Sequence, residues 1–584
     1  MPAVTKVWHL LPHDSVAIER LSAKLRASPV VAQLLLNRGF TEADQARRFL
    51  DAPLSGLHAP ERLPGVLNAI EQLLPLIAAK EPICVYGDYD VDGITGTAIL
   101  WQLFQILGLP AHFHMPNRLE DGYGLRREPL QQLAEQGVKA VVTVDCGITS
   151  LGEAAEARKL GLKLIITDHH EMKDRLPAAD ALVHPRLPGT EYPFGGLSGA
   201  GVAFKLAWAL CQRISGSEKV EDRFRELLLD GVALAALGLI ADVVPLHDEN
   251  RIFVKHGLNR IHTKPPVGIK ALMESAGLSP EKAPRAEDVA FKLAPRLNAA
   301  GRLGCARLVV ELLTTRNEQR ARDLAAYLDG QNKERQSLER KITQQAKDFL
   351  ADQDLAQMPA LVLANEEWHA GVIGIVAGRL AEAFGRPTLL VASQSDPAPG
   401  SGRSIPGFAL HEALLACAAD LHSHGGHAAA AGFRISLDRL DSFRAAFCAY
   451  TATHFPDGVP PPRLSLDAEV PLSALTFGLL REIDRLEPYG AQNPRPKFLA
   501  GGLQIVGEPR KIGGGERHLS FRVKQGGAAL RAIAFGMGDR VEELMSAGGK
   551  CCLAFTPRLN EWNGYTNVEI EVVDFQPGDM ATLG

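Results

Sequence analysis

The chain has 584 residues, of which 46% are hydrophobic and 22% are charged, as in an ordinary globular protein. One hydrophobic core cannot serve this length, so we expect three or four domains. The formal net charge of -5 excludes a broadly basic surface. Any nucleic-acid binding must therefore rely on local basic patches or on bound metal ions.

The sequence also argues against membrane and disulfide-rich classes. No apolar run reaches the roughly 18 residues of a membrane-spanning helix, and none near the N-terminus predicts a signal peptide. The eight cysteines include no CxxC pair, and Cys551 and Cys552 lie in a strand-like run. We therefore expect buried or free thiols in a reducing cytoplasm.

An apolar strand at residues 83–86 leads into an acidic loop. Asp88, Asp90 and Asp92 stand at alternate positions of this loop. Apolar residues at helical spacing then predict a helix from 94 to 109. This order of strand, loop and helix places the carboxylates at the carboxyl end of a sheet strand, where open α/β sheets bind their ligands.

The acidic loop has two other interpretations. It is a solvated turn if nothing cationic neutralises its charges. It also fits the first six positions of a calcium-binding EF-hand loop. However, the twelfth position is Ile99, where a bidentate Glu is required, and a strand rather than a helix precedes the loop.

Two later strands also end in residues that bind metals. Residues 141–144 lead to Asp145, and residues 164–167 lead to Asp168, His169 and His170. The helix predicted between these strands gives a β-α-β alternation, which implies a parallel sheet. Strand ends of one parallel sheet converge, so we expect a site for a divalent ion. Carboxylates with a minority of imidazole suit Mn²⁺ or Mg²⁺ better than zinc.

The order of these motifs resembles the DHH phosphoesterase superfamily. Its four motifs match Asp90-x-Asp92, Asp145, the triplet at 168–170, and Asp242 at the end of a helix predicted for 230–240. The stretches 87–93 and 241–246 more closely resemble the members of this superfamily that are single-strand-specific exonucleases. This resemblance runs from about residue 50 to about residue 575.

The resemblance implies a site for two Mn²⁺ or Mg²⁺ ions. Its five metal ligands would be Asp90, Asp92, Asp145, His169 and Asp242. Asp145 and Asp242 would be the bridging ligands. His170 would face the scissile phosphate, and Asp168 would orient its neighbours. Asp88 is a further candidate for a catalytic role, with no position assigned by the resemblance.

Two stretches of the same region carry residues suited to phosphate, and both resemble these exonucleases. They supply five substrate-binding candidates, Arg118, Tyr123, Arg296, Asn298 and Arg302. A glycine at position 301 would let the backbone approach the substrate. Surface loops with solvated arginines are the alternative.

Residues 317–353 are charged on nearly every face, which predicts a long helix that bridges two domains. The region 357–456 then resembles the DHH-associated domain. Four residues near glycines are candidates for binding a substrate phosphate, namely Ser401, Arg403, Ser404 and His427. The histidines of 422–427 also fit a metal tract, but their glycine neighbours favour a substrate loop.

The C-terminal region follows a proline-rich linker at 459–462 and predicts five or six short strands. Such strands fit an OB-type barrel, with a hairpin turn at Asn563-Gly564. Cations and aromatic residues of this region predict a groove for single strands, formed by Lys497, Arg510, Lys511, Arg517, Arg522, Arg531, Phe521, Phe535 and Trp562. A generic small barrel with core aromatics is the alternative.

The predicted fold class is α/β, with a parallel-sheet DHH catalytic domain, a long connecting helix, a second α/β DHH-associated domain and a C-terminal OB-type β-barrel. The predicted boundaries are 1–60 for an N-terminal helical segment, 61–260 for the catalytic domain, 261–356 for a helical connector with a phosphate-binding loop and the long helix, 357–456 for the DHH-associated domain, and 463–576 for the barrel.

The resemblance implies a metal-dependent exonuclease that degrades single-stranded DNA from its 5′ end to 5′-mononucleotides, in DNA repair and recombination. A pocket of Arg118, Arg403 and Ser404 would read the terminal 5′ phosphate. A single-strand-binding protein and a repair helicase are implied partners of a cytoplasmic monomer. The alternatives are another phosphodiesterase or pyrophosphatase of the superfamily, or a non-catalytic DNA-binding scaffold.

Overall fold

The computed structural model describes residues 6–116, 124–302, 305–562 and 564–583. Internal contacts divide the chain into two compact units. One unit consists of Met1–Val7 and Asp329–Leu464, and the other of Trp8–Leu328 and Ser465–Gly584. The region of the predicted parallel sheet and the region of the predicted barrel therefore belong to the same unit. None of the helices in the described ranges has the length and apolar character needed to cross a membrane.

The N-terminal region is mainly helical, as predicted, and also contains a short strand. Its elements are β1 (Val7–Leu10), α1 (Ser15–Leu25), α2 (Pro29–Asn37), α3 (Ala43–Asp51) and α4 (Val66–Ala78). Side-chain oxygens cap the first two helices. Asp14 accepts from the N–H of Ala17, and Ser28 accepts from the N–H of Val31.

The predicted parallel sheet is present, with five strands in the order β3-β2-β4-β5-β6. The strands are β2 (Ile83–Gly87), β3 (Ala111–His114), β4 (Ala140–Val144), β5 (Lys163–Thr167) and β6 (Ala181–Val183). Three helices connect them, α5 (Val91–Ile106), α6 (Arg127–Glu135) and α7 (Leu151–Lys159). Helix α5 begins before the predicted residue 94 because Asp90 caps it.

A helical layer follows this sheet. It contains α8 (Gly199–Ser215), α9 (Asp222–Ala241), α10 (Asp248–Thr263), α11 (Val267–Ser275), α12 (Ala286–Asp288), a π-helical turn (Val289–Leu293), α13 (Ala294–Arg302) and α14 (Ala306–Thr314). The phosphate-binding loop predicted near 294–302 is instead helix α13. Leu293, Leu297 and Ala300 are buried at helical spacing, and α13 continues directly from the π-helical turn.

The long helix α15 (Glu318–Leu350) matches the predicted connector, and Gly330 does not interrupt it. At about 1.5 Å per residue it extends roughly 50 Å. It begins in the unit of the parallel sheet and ends in the other unit. A helix of this kind is a covalent connection between the two cores.

The unit of Asp329–Leu464 contains a five-stranded sheet in the order β10-β11-β9-β8-β7. Its elements are β7 (Leu361–Asn365), α16 (Ala370–Phe384), β8 (Thr388–Ala392), β9 (Ala398–Arg403), α17 (Leu410–Ala416), β10 (Leu421–Gly426), β11 (Ala430–Ile435) and α18 (Leu440–His454). The predicted substrate loops at 400–404 and 422–427 lie largely in β9 and β10. Their glycines are accommodated in strands, where Gly400 gives room to the ring of Phe433.

The C-terminal strands form the predicted OB-type barrel. β12 (Arg463–Leu466) pairs with β1 in a separate two-stranded sheet. The elements that follow are β13 (Ala468–Glu469), α19 (Phe477–Asp484), β14 (Phe498–Ile512), β15 (His518–Gln525), β16 (Ala528–Ala534), α20 (Val541–Met545), β17 (Lys550–Trp562) and β18 (Tyr565–Pro577). Pairing of β14 with β17 closes the sheet. Trp562 pairs with Tyr565 at the predicted hairpin, and Asn563 lies outside the described residues.

The N-terminal helices share one hydrophobic core with this barrel. Buried members of this core come from α1 to α3, from α19 and from the barrel strands, for example Leu21, Leu35, Phe49, Leu480, Phe498 and Leu553. The indole Nε1 of Trp8 donates to Asp574 Oδ2 at 2.9 Å. The N-terminal segment and the barrel are therefore packed as one body.

Arg251, on α10, connects this shared core to the helices of the parallel sheet. Its side chain is buried and donates only to backbone carbonyls, those of Phe49, Arg485, Leu486, Glu487 and Pro488. Burial lowers the pKa of this guanidinium to about 9. An arginine with five fixed donors suits a site where several chain segments must be held by their carbonyls.

Candidate metal centre

The acidic loop is fixed by hydrogen bonds at the start of α5. Asp90 Oδ1 accepts from the N–H groups of Asp92 and Gly93, at 2.9 and 3.1 Å. Asp92 is 1% exposed, and its carboxylate accepts from Ser198 Oγ at 2.7 Å and from the N–H of Gly199 at 2.6 Å. These donors belong to the N-terminus of α8, where the helix dipole favours a negative charge.

Two glycines allow helices to approach these carboxylates. A Cβ on Gly199 would lie 2.5 Å from the Cβ of Asp145, and a Cβ on Gly238 would lie 2.5 Å from Asp92 Oδ1. Asp145 itself follows β4 with a φ of 65°, in the left-handed region. Such backbone strain in a residue other than glycine is common at functional sites.

The triplet after β5 is organised by its first residue. Asp168 Oδ1 accepts from the N–H groups of His169 and His170, and its Oδ2 accepts from the N–H of Ile148 at 2.9 Å. His170 Nδ1 donates to Asp168 Oδ1 at 2.8 Å. Asp168 thereby holds the backbone of both histidines and the ring of His170.

Burial opposes the charge of both partners in this pair, but their mutual hydrogen bond outweighs it. The pKa of Asp168 falls to about 2, and that of His170 rises to about 9. His170 is therefore a cation at neutral pH. A cationic imidazole beside the carboxylates is suited to contact a phosphate oxygen.

The predicted ligands converge on His169. Its Nε2 lies 3.1 Å from Asp145 Oδ1, 3.5 Å from Asp242 Oδ2 and 3.9 Å from Asp92 Oδ2. Within the described residues, three sets of side chains have ligand atoms within 4.8 Å of one another, namely Asp145 with His169 and His170, Asp92 with His169 and Asp242, and Asp88 with Asp90 and Asp145. Asp88 and His170 thus lie at ligand distance as well.

The protonation energetics of this cluster fit a cation. Burial, followed by the charge of Asp90, raises the pKa of Asp92 to about 7. Burial and neighbouring aspartates raise the pKa of Asp242 to about 8 and that of Asp145 well above its usual value. Burial lowers the pKa of His169 to about 3, so its imidazole is neutral, as a metal ligand must be. Clustered carboxylates with one neutral imidazole fit Mn²⁺ or Mg²⁺.

Helix α13 supports the acidic loop. Asn298 Oδ1 accepts from the N–H of Val91 at 3.2 Å, and Gly301 leaves room for the carbonyl of Tyr89. Arg296 Nη1 donates to the carbonyl of Lys292 at 2.7 Å. In this structure Asn298 therefore holds the loop, a role distinct from the predicted contact with substrate.

Three predicted substrate residues of this region have no described side chain. Arg118 and Tyr123 lie outside the described residues, as does the side chain of Arg302. Their roles remain predictions.

The four candidates in the other unit lie around β9 and β10. Arg403 Nη1 donates to the carbonyl of Gly402 at 2.7 Å and to Ser401 Oγ at 3.4 Å. Its guanidinium lies against α16, since a Cβ on Gly374 would be 3.2 Å from Nη2. Ser404 Oγ donates to the carbonyl of Phe408 at 2.6 Å, and His427 is exposed.

Sequence reasoning missed several residues that build the centre. Ser198 and Gly199 have a recognisable signal, since a serine before Gly-Ala-Gly marks a helix start with small residues. Gly238 has no such signal because the need for a glycine there comes from the distant Asp92. His184 and Arg186, which contact the triplet, follow β6, a strand too short to predict.

Comparison with known proteins places these features in one family. Family models match residues 82–236 as the DHH family, N-terminal domain, residues 357–453 as the DHHA1 domain, and residues 466–574 as the RecJ OB domain. The single-stranded-DNA-specific exonuclease RecJ of Thermus thermophilus is 37% identical over 97% of this chain and 78% of its own length. The chain belongs to the RecJ family.

Two further RecJ proteins and two crystal structures agree. RecJ of Bacillus subtilis is 35% identical over 97% of this chain and 70% of its own length. RecJ of Escherichia coli is 34% identical over 94% of this chain and 96% of its own length. Thermus thermophilus RecJ in complex with Mn²⁺ matches 99% of this chain and 80% of that one, with a TM-score of 0.83 and 35% identity. The structure of the same protein in complex with Mg²⁺ matches with a TM-score of 0.78 and 33% identity. RecJ membership confirms the resemblance and the predicted fold class.

The glycine at position 199 should be essential to the centre. Gly199→Ala would press a methyl group against Asp145, so we expect Mn²⁺ affinity to fall at least tenfold, the scale seen when residues around a ligand are changed. Calorimetric titration with Mn²⁺ measures this. The matched control is Gly201→Ala, in the same helix, whose added Cβ would meet only Leu197 side-chain atoms at 3.2 Å and beyond. Equal Mn²⁺ affinities in the two variants would show that the close approach of Gly199 to Asp145 does not matter for metal binding.

The stabilising effect of metal should depend on pH. Burial and neighbouring carboxylates raise the folded-state pKa values of Asp92 and Asp242. Without metal, the stability that these two groups contribute is therefore complete below their unfolded-state pKa of about 4, and it is lost as the pH rises to about 8. Metal replaces those protons. We therefore expect the increase in Tm caused by Mn²⁺ to be larger near about pH 8 than near about pH 6. An increase that is independent of pH would contradict these assignments.

Proposed function

We propose that this chain is a metal-dependent exonuclease that hydrolyses single-stranded DNA. The observation that carries the proposal is the convergence of Asp92, Asp145, Asp242 and His169 in one cluster, in which Asp92 and Asp145 are buried and the other two are partly buried. Its relatives over nearly the whole chain are named single-stranded-DNA-specific exonucleases. Two of its structural neighbours were crystallised with Mn²⁺ or Mg²⁺.

Five residues would hold two divalent ions, Asp90, Asp92, Asp145, His169 and Asp242. Such ions supply charge at the scissile phosphate and lower the pKa of a bound water. The chain's own contribution is to hold the ligands in place, through the amides of α8 at Asp92 and through the hydrogen bonds of Asp168 to the backbone of His169 and His170. His170, protonated at Nδ1 and held by Asp168, would bring a positive charge to the phosphate.

We further propose that the substrate is degraded from its 5′ end to 5′-mononucleotides, in DNA repair and recombination. Arg403 and Ser401 offer a guanidinium and a hydroxyl suited to a phosphate. The barrel carries cations and the exposed rings of Phe535 and Tyr565, which suit single strands, whereas Phe521 of the predicted groove is buried in the core. A single-strand-binding protein and a repair helicase, a monomeric state and a cytoplasmic location complete the proposal, and the absence of disulfides among the eight cysteines supports a reducing compartment.

Two alternatives differ from this proposal in specific ways. Another phosphodiesterase or pyrophosphatase of the superfamily would have no use for a closed C-terminal barrel. A non-catalytic scaffold would have no need to keep every ligand position filled. The barrel and the complete ligand set therefore favour the exonuclease.

The function is tested with end-labelled oligonucleotides. Wild-type protein with Mn²⁺ should release mononucleotides from single strands and leave duplexes intact. Asp242→Asn removes a ligand and should reduce this rate by at least a hundredfold. Asp230→Asn, a charge change on the same helix at an ion pair with Arg260, should keep the rate within about twofold. Hydrolysis of small dinucleotides alone would favour the first alternative, and binding without hydrolysis the second.

The direction of degradation is tested at Arg403. A terminal 5′ phosphate is a dianion, so losing one charge-assisted contact should cost about 1.5–3 kcal/mol. Arg403→Ala should therefore slow digestion of 5′-phosphorylated strands by roughly ten- to a hundredfold, and of 5′-hydroxyl strands less. Arg434→Ala on the neighbouring strand is the matched control. The two strands are compared at one salt concentration. Equal slowing of both substrates would make Arg403 a general backbone contact.

A further inference from the structure

The backbone of His169 and His170 is held on two sides. On the amide side, Asp168 Oδ1 accepts from both N–H groups, at 2.7 and 3.1 Å. On the carbonyl side, Arg186 Nη2 donates to the carbonyl of His169 at 2.7 Å, and His184 Nε2 lies 2.8 Å from the carbonyl of His170. The carbonyl side uses two residues outside the ligand set.

The hydrogen bonds of His184 fix its tautomer. The backbone N–H of Arg186 donates to His184 Nδ1 at 3.0 Å, so this nitrogen is the acceptor. Nε2 therefore carries the hydrogen and donates it to the carbonyl of His170. The His184 side chain is 0% exposed, so water does not compete for either bond. Both ring nitrogens are satisfied in one orientation of the imidazole.

The fold brings these residues to the triplet. Strand β6 pairs with β5 in a register that sets Val183 opposite Thr167, so His184 and the triplet follow neighbouring strand ends. Gly195 gives room to Arg186, because a Cβ there would lie 2.9 Å from Arg186 Cγ. The edge strand β6 thus serves to deliver two donors to the carbonyls of the triplet.

We propose that His184 and Arg186 are positioning residues that orient the imidazoles of His169 and His170 by holding their backbone carbonyls. The proposal rests on the proposed metal-dependent hydrolysis. With amides and carbonyls both fixed, the peptide planes of the triplet cannot rotate. The Nε2 of His169 then stays within 3.1 Å of Asp145 Oδ1, where both can share an ion. Residues that orient ligands in this way are typically worth ten- to a hundredfold in affinity or activity.

The roles of the two ring nitrogens can be separated by substitution. His184→Gln places an amide N–H near the position of Nε2 and keeps the donor to the carbonyl of His170. His184→Asn places an oxygen near the position of Nδ1 and keeps only the acceptor for Arg186. His184→Leu removes both. The matched control is His256→Leu, which removes a hydrogen bond from an imidazole to the carbonyl of Ala52.

Three quantities are measured for each variant: Mn²⁺ affinity by calorimetry, kcat and KM on a single-stranded oligonucleotide, and the Tm of the metal-free protein. We expect His184→Gln to keep Mn²⁺ affinity and kcat within about threefold of wild type. His184→Asn and His184→Leu should lose at least tenfold in both, with KM unchanged. His256→Leu should lower the Tm without changing affinity or kcat.

Several results would overturn the proposal. Wild-type affinity and kcat in His184→Leu would reduce the residue to ordinary packing. A raised KM with an unchanged kcat would make it a substrate contact. Rescue by Asn but not by Gln would show that His184 acts through Arg186 and not through the carbonyl of His170.

A second variant keeps the test decisive if His184→Leu fails to fold. Arg186 is exposed, so Arg186→Ala should keep the fold while releasing the carbonyl of His169, and its Mn²⁺ affinity should fall at least tenfold. An unchanged Mn²⁺ affinity in Arg186→Ala would overturn the proposed positioning role. The affinity measurement needs no DNA hydrolysis. A wild-type protein that binds Mn²⁺ but does not cut DNA would therefore refute the proposed function. The positioning role of His184 and Arg186 would still be decided by the Mn²⁺ affinities of their variants.

Discussion

Repulsion among buried carboxylates is the constraint on which this part of the molecule depends. Burial disfavours the charged form of each carboxylate, and neighbouring aspartates with ligand atoms within 4.8 Å of one another add to this effect. The surrounding structure responds with the amides of α8, which point at Asp92. It also responds with raised pKa values, which keep part of the charge neutralised by protons until a cation arrives. Full ionisation of Asp92, Asp145 and Asp242 at neutral pH is therefore favoured only when a cation binds to them.

The same strand ends also hold a carboxylate with the opposite behaviour. Asp168 has a depressed pKa because His170 and three backbone amides donate to it. Asp92, Asp145 and Asp242 behave in the opposite way, because burial and neighbouring carboxylates raise their pKa values. This difference separates a residue that would organise ligands from residues that would serve as ligands. It does not follow from the sequence, in which all four are aspartates near the ends of elements.

The sequence predicted what depends on local pattern. Apolar runs located three of the five strands of the parallel sheet, β2, β4 and β5, but not β3 or β6. The residues after those three strands located the centre. It did not predict that 294–302 is a helix, because glycine and two arginines resemble a loop when the burial of Leu297 and Ala300 is not visible. It also missed Gly238, whose reason is a carboxylate almost 150 positions away in the chain, and His184, whose role requires knowing that β6 pairs with β5. The failures are all of non-local packing.

The shared core of the N-terminal helices and the barrel has a consequence for synthesis. Residues near Leu35 and Phe49 bury their side chains against Leu480 and Phe498, and Trp8 donates to Asp574. At about 5–20 residues per second, the ribosome needs roughly 20 to 90 seconds to make the intervening chain. During that time the apolar faces of the first helices have no barrel to cover them. The emerging chain is thus exposed to aggregation at its beginning until nearly all of it has been made, and we expect nascent chains to depend on chaperones that bind near the N-terminus.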